Sequence, residues 1–154
     1  MKNTKQHLIL EQVDKKLKAF ESLKDNKIPT NGWVKTVRTA LKMSLRQLGN
    51  RMNFSAQNLR QLERREIAGT ITLNSLRDVA NAMDMQLVYG FVSKHESLEQ
   101  MIEKRAAALA TEIVMRTNNT MTLEDQQNSK ERIEKAIVQK TAEIKHEMPK
   151  YLWD

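Results

Sequence analysis

Gln57, Arg60, Gln61 and Arg64 recur at i, i+3, i+4 and i+7, the spacing that gathers side chains on one face of a helix. Gln and Arg present paired hydrogen-bonding groups that match the edges of adenine and guanine in the major groove. The chemistry in this pattern is therefore recognition of base edges. Ser55, Ala56, Gln57, Arg60 and Gln61 are the candidate base-reading residues. Lys42, Ser44, Arg46, Arg64 and Thr70 are the candidate phosphate contacts, because cations and hydroxyls hold the backbone while amides and guanidinium forks read bases.

The elements that must position these side chains run from Ser44 to Arg65. Leu45, Leu48 and Met52 fall at i, i+3 and i+7 and predict a first short helix. Asn53 and Phe54 interrupt the pattern, and Asn is one of the few side chains that tolerates left-handed backbone angles. Ser55 offers an N-cap oxygen to a second helix whose Leu59 and Leu62 face inward. Gly49 is expected to keep the first helix thin where the second crosses it. Two helices with this connection predict a helix-turn-helix with an outward reading face.

The segment resembles the Xre/lambda-repressor-like helix-turn-helix family through Ser44, Leu48-Gly49, Asn53, Ser55, Leu59 and Leu62-Glu63. It departs from that family at Leu45, where many members carry a Gln whose amide touches a phosphate, and at Asn53, the usual turn Gly. The resemblance implies a five-helix DNA-binding domain.

Charge agrees with a polyanionic partner. The 154 residues carry 26 Lys+Arg against 19 Asp+Glu, a net charge of +7. Between Trp33 and Val92, nine basic residues (Lys35, Arg38, Lys42, Arg46, Arg51, Arg60, Arg64, Arg65, Arg77) stand against four acidic ones (Glu63, Glu66, Asp78, Asp84), so +5 of the +7 lies there. Such a surface attracts phosphates and makes binding salt-dependent; charge alone fits an anionic membrane or an acidic protein equally well. Cysteine is absent, which excludes disulfides, thiolate metal sites and cysteine nucleophiles. Three consecutive apolar residues near the start, Leu8-Ile9-Leu10, are too few for a signal segment, and no stretch approaches membrane-spanning length, so a cytoplasmic protein without membrane contact is expected.

The fold class expected is mainly α: a helix-turn-helix domain with an N-terminal helix, one short strand and C-terminal helices. Residues 1–31 form the N-terminal helix and linker, 32–84 the DNA-binding domain, and 85–154 the strand with a C-terminal helical dimerisation or partner region. Ile9, Leu10, Val13, Leu17, Phe20 and Leu23 make the stripe of a helix over about Lys5 to Leu23. Pro29 and Gly32 punctuate the linker. Trp33, Val34, Val37, Ala40 and Leu41 form the apolar side of the next helix, with Lys35, Arg38 and Lys42 outside and able to meet phosphates. Gly69 bends a loop that lies against the duplex through main-chain N–H groups and hydroxyls, and Thr72 caps a helix carrying Leu73, Leu76, Val79, Ala80 and Met83.

Met85, Leu87, Tyr89 and Phe91 alternate with Gln86, Val88 and Gly90, the pattern of a strand. A single strand cannot satisfy its own backbone, so these four residues are the expected dimer interface, through an antiparallel copy of the same segment; a strand from another protein is the open alternative. Ser97-Leu-Glu-Gln100 reads as a capping box. Leu98, Ile102, Ala106, Leu109 and Ile113 form one helix stripe, Asn118 and Asn119 a turn, and Ile133, Ala136, Ile137 and Ile144 a last helix after Ser129. Tyr151, Leu152 and Trp153 are costly to expose and predict a docked tail.

Across the whole chain the sequence is similar to the bacterial family called mobile mystery protein A. The match rests on Gly32-Trp33, Gly69-Thr-Ile-Thr-Leu73, Leu87-Val-Tyr89, Ser97-Leu-Glu99, Met121-Thr-Leu-Glu-Asp125 and Leu152-Trp-Asp154. That family is typically paired with a Fic-domain protein on mobile elements. The resemblance implies an autoregulatory, antitoxin-like repressor with a Fic-type toxin as partner. Many Fic-inhibiting partners carry Ser/Thr-x-x-x-Glu-Gly/Asn; no Glu in this chain is followed by Gly or Asn, so direct neutralisation would use another contact.

No enzyme is expected, and no cofactor or metal. His7, His95 and His146 fall in three distant segments, Glu143 with His146 reads as a solvated helix end, and there is no phosphate loop or nucleophile motif. The alternative function is a protein-interaction module that binds the toxin directly, with DNA binding secondary.

Overall fold

The computed structural model describes residues Lys2–Asn119 and Gln126–Asp154. The protein is mainly helical. In chain order it contains α1 (Lys2–Lys18), a 3-10 turn (Glu21–Leu23), α2 (Trp33–Ala40), α3 (Leu45–Met52), α4 (Ala56–Ala68), α5 (Leu73–Ala82), α6 (Leu98–Asn119), α7 (Gln126–Glu147) and a terminal 3-10 turn (Lys150–Trp153). The chain divides into two compact units, Ser22–Gly90 and Met1–Glu21 with Phe91–Asp154. The N-terminal helix thus belongs with the C-terminal helices.

No strand occurs among the described residues, which corrects the expectation for Met85–Val92. Alternation makes a segment compatible with a sheet, but a strand exists only through a ladder, and no described segment supplies the second edge. Met85 N–H donates to the Ala80 carbonyl at 2.8 Å, and beyond it residues 86–93 have no regular structure.

In the unit Ser22–Gly90, local residues write the helix ends. The Ser44 hydroxyl accepts from Gln47 N–H at 3.1 Å and the Gln47 side chain accepts from Ser44 N–H at 2.8 Å, a reciprocal capping box that starts α3. Asn53 ends α3 with φ 56 and ψ 34, the left-handed conformation its side chain tolerates. Ser55 caps α4 by accepting from Asn58 N–H at 3.1 Å, Gly69 ends α4 at φ 74, and Thr72 caps α5 by accepting from Ser75 N–H at 3.1 Å. Each cap supplies a partner to a backbone group the helix leaves orphaned, worth about 1 kcal/mol.

The core of this unit is Val34, Leu48, Leu59, Leu62, Val79 and Met83, with Val37, Leu45, Met52, Ile71 and Leu76 packed against it. Leu48 and Leu59 are fully buried, each worth ~1.5–3 kcal/mol of removed apolar surface. Gly49 is buried for a reason different from thinness at a helix crossing. A Cβ there would stand 2.5 Å from the Phe54 carbonyl oxygen, and Phe54 N–H already donates to the Gly49 carbonyl at 2.8 Å. The turn closes directly onto this residue.

Two expectations for α2 are corrected. Trp33, Ala40 and Leu41 remain exposed, so the buried side is Val34, Val37 and Arg38. Arg38 points inward, where its Nε donates to Glu63 at 2.6 Å and its Nη1 to the Met43 carbonyl at 2.9 Å. It is not a phosphate contact.

In the other unit, α6 and α7 form the main pair, with α1 and the terminal turn against α6. Ile102, Ala106, Ala110, Ile144 and Leu152 make its core, joined by Leu10, Leu109, Ile113, Ile137 and Met148. The N-terminal helix stops at Lys18, short of Leu23, and presents Leu10 inward while Ile9 and Val13 stay exposed. Asp14 on α1 accepts from Leu98 N–H at 2.8 Å, a carboxylate at the start of α6 where the helix dipole favours it. Ser97 accepts from Gln100 N–H at 3.0 Å, but the Gln100 side chain returns to Glu96 N–H, one residue before the cap. Asn118 and Asn119 belong to the last turn of α6 rather than to a loop, and α7 starts at Gln126, before Ser129. Met121–Asp125 lies outside the described residues. The tail docks: Leu152 is 1% exposed, and Arg105 donates to the carbonyls of Leu152 and Asp154, each at 2.6 Å, while Tyr151 and Trp153 stay exposed. No described helix is long and apolar enough to cross a membrane.

Candidate nucleic-acid interface

Helix α4 sorts its side chains by face. Leu59, Leu62 and Glu63 are buried, while Ala56, Gln57, Arg60, Gln61, Arg64 and Arg65 are exposed. Among the described residues the side chains of Gln57, Arg60, Gln61 and Arg64 have no intramolecular hydrogen-bond or ion-pair partner. Their donors and acceptors are therefore open to a ligand at no cost in internal bonds. Ser55 is different: its oxygen already accepts from Asn58 N–H, so its hydroxyl keeps its proton and one lone pair to offer.

The candidate phosphate contacts divide in the same way. Lys42, Arg46 and Arg64 are exposed and unpaired among the described residues. Lys42 sits at φ 53, a left-handed position in the connection between α2 and α3. Arg46 stands in the first turn of α3. Ser44 spends its N–H and its oxygen on the capping box, leaving the hydroxyl proton as its only free donor. Thr70 N–H donates to the Arg65 carbonyl at 2.9 Å, so this loop residue has no main-chain N–H to give a phosphate. Its hydroxyl, 3.5 Å from the same carbonyl, is held weakly.

Thr70 also lines a polar cleft with Phe54, Asn58, Gln61, Arg65, Thr72 and Ser75. This cleft adds Asn58 and Arg65 to the site. Arg65 follows Gln61 by four residues, and that spacing was its only signal in the sequence.

Electrostatics of the unit follow from where its carboxylates go. Glu63 is engaged by Arg38, Nε at 2.6 Å and Nη2 at 3.3 Å, with both side chains almost wholly buried. Glu66 accepts from the N–H groups of Trp33 at 2.6 Å and Val34 at 3.0 Å, closing the N-terminus of α2. Gly32 makes room for that carboxylate: its φ is 78, and a Cβ would lie 2.7 Å from the Glu66 oxygen. Two of the four acidic groups between Trp33 and Val92 are thereby consumed inside the scaffold. Of the cations, Arg38 is neutralised by Glu63, Arg51 donates to the Ala82 carbonyl at 3.2 Å, and Arg77 donates to Asn74 at 3.1 Å beneath Tyr89. Lys35, Lys42, Arg46, Arg60, Arg64 and Arg65 carry no carboxylate partner among the described residues.

Elsewhere the structure brings together two side chains that sequence distance separates. The rings of His7 and His146 stack at 6.0 Å between centroids, with His7 Nε2 3.4 Å from the His146 carbonyl. Glu143 faces Lys140 at 2.8 Å and holds that lysine above its ordinary pKa. No group of three or more metal-ligating side chains converges among the described residues.

Comparison with known proteins returns no family model, no curated protein and no solved structure that matches this chain.

Proposed function

We propose that this chain is a sequence-specific DNA-binding repressor in which α3 and α4 act as a helix-turn-helix. The observation that carries the reading is the outer face of α4, where Gln57, Arg60, Gln61 and Arg64 are exposed and unpaired while its inner face anchors the core. Laid in a major groove, that face puts Gln57 and Gln61 against base edges with Arg60 beside them. Lys42, Arg46, Arg64 and Arg65 hold phosphates, and Ser44 and Thr70 contribute hydroxyl protons. A sequence-independent binder would use the cations alone and leave the two amides without a task. As a homodimer the protein would read an inverted repeat with half-sites about 34 Å apart.

The resemblance to mobile mystery protein A extends the proposal to an autoregulatory, antitoxin-like component of a Fic-type pair on a mobile element, acting in the cytoplasm. A second reading, direct binding of the toxin, draws support from the docked tail, which buries Leu152 yet leaves Tyr151 and Trp153 exposed; such aromatics are common interface anchors.

The test is an electrophoretic mobility shift on DNA upstream of the gene, at two salt concentrations, with scrambled competitor. Binding that survives the competitor and maps to an inverted repeat is expected. Binding lost equally to any competitor refutes sequence recognition and moves attention to the protein partner.

A further inference from the structure

Beside the irregular segment 85–90 lies an apolar groove of about 340 Å³, lined by Trp33, Val37, Leu76, Met83, Met85 and Leu87 among others. It backs onto α2 and α5 and opens to solvent. The adjoining segment has two properties that a finished surface lacks. Among the described residues, no backbone N–H or carbonyl from Gln86 to Val92 makes a hydrogen bond to the chain. Its large side chains are also exposed: Val88 67%, Tyr89 59% and Phe91 80%. An unsatisfied backbone edge flanked by exposed aromatics is a template for β-pairing.

We infer that a second copy of this chain completes the surface, pairing its 86–92 segment antiparallel with this one and seating its Phe91 in the groove. The inference rests on the dimeric part of the function proposed above and names its acceptor site. Self-pairing fits for a geometric reason. In an antiparallel two-fold pair centred on Val88, the partner's residue 91 lies opposite Met85; centred on Tyr89, it lies opposite Leu87. Both Met85 and Leu87 line the groove. Either centre therefore brings the most exposed aromatic of one copy to the apolar hollow of the other, twice by symmetry. The pairing also satisfies backbone groups that the single chain leaves to water.

Sedimentation of the full chain without DNA tests this. Wild type is expected to be a dimer at about 10 μM, where a micromolar interface is populated. Phe91→Glu, at an exposed position, should keep the helical circular dichroism and raise the dimer Kd at least about tenfold, as loss of a seated aromatic anchor does. Because the chain has no cysteine, Val88→Cys or Tyr89→Cys reports the axis directly: one of them should oxidise to a disulfide-linked dimer, and Lys94→Cys should not. A monomeric wild type, a dimer indifferent to Phe91→Glu, or cross-linking only at Lys94→Cys overturns the inference. A monomer that still shifts a single half-site refutes the dimer and leaves DNA recognition standing; a cross-linked dimer that ignores the upstream DNA does the reverse.

Discussion

Arg38→Met should be among the most damaging single replacements in the unit Ser22–Gly90. Arg38 and Glu63 are buried, their side chains 10% and 7% exposed, and 2.6 Å apart. Removing the guanidinium leaves the buried Glu63 carboxylate without its partner, which costs ~3–5 kcal/mol for a broken buried pair. It also frees the Met43 carbonyl, which Arg38 holds at 2.9 Å, adding about 1 kcal/mol. A loss near 4 kcal/mol is a large part of the total stability of ~5–15 kcal/mol typical of a domain. In a folding unit of this size it lowers Tm by more than about 15 °C. Arg38→Met/Glu63→Leu removes both charges and should recover most of the loss. Urea unfolding can follow this unit alone. The chain has two tryptophans, and Trp153→Phe leaves Trp33 as the sole tryptophan. A loss under ~1 kcal/mol for Arg38→Met, the range of solvated pairs, refutes the argument. So does a double variant no more stable than the single one.

Three further outcomes follow from the same geometry. Gln57→Ala should cost ~1–3 kcal/mol at one base position, while Lys42→Ala weakens all sequences alike and lowers the salt slope by about one, both read by fluorescence anisotropy on operator and random duplexes; equal losses on both duplexes for Gln57→Ala would end the base-reading assignment. Gly49→Ala should destabilise by ~1–3 kcal/mol in urea, because the methyl meets the backbone oxygen of Phe54 at 2.5 Å and that backbone is pinned; a gain in stability would show that the turn yields. Glu99, chiefly through a hydrogen bond, and Glu103 raise the pKa of Lys145 above its ordinary value while burial opposes them. A raised lysine stabilises fully below its unfolded pKa of ~10.4 and loses that contribution as pH climbs through the folded value, so Lys145→Met should remove up to ~1 kcal/mol at pH 8 and flatten the alkaline limb of the unfolding profile.

The helix ends of the Ser22–Gly90 unit were legible because capping is local. Ser44, Asn53, Ser55, Gly69 and Thr72 each act within three or four residues, and each stands where its type predicts. Side-chain direction on α2 was not legible. Val34, Val37, Arg38 and Leu41 share one side of that helix, and the choice of Arg38 over Leu41 for burial was made by Glu63, 25 residues on. Alternation at Met85–Phe91 records what a segment could do beside an edge and says nothing of whether its own chain offers one. The stacking of His7 on His146 spans 139 residues, and no periodicity within either helix encodes it. For the candidate site, the exposure of the α4 face followed from spacing alone. The loss of the Thr70 main-chain N–H to the Arg65 carbonyl did not, because that bond depends on how the chain turns after Gly69.

A basic face arises from a chain of modest net charge because its carboxylates are engaged elsewhere. Glu63 and Glu66 lie on α4, the helix that carries Gln57, Arg60, Gln61 and Arg64, and both turn away from that face. Glu63 ties the inner side of α2 by accepting from Arg38, which itself donates to the Met43 carbonyl; Glu66 closes the N-terminus of α2 over Gly32. Had Glu63 pointed outward, it would have stood three residues from Arg60, at helical spacing, and lowered the positive potential there. By anchoring α2 they set the position of the connection bearing Lys42 and Ser44 relative to α4. One helix thus holds the scaffold with its acids and exposes its cations and amides. The position of the exposed α4 face and its positive charge therefore share a cause, and a replacement at Glu63 should disturb both together.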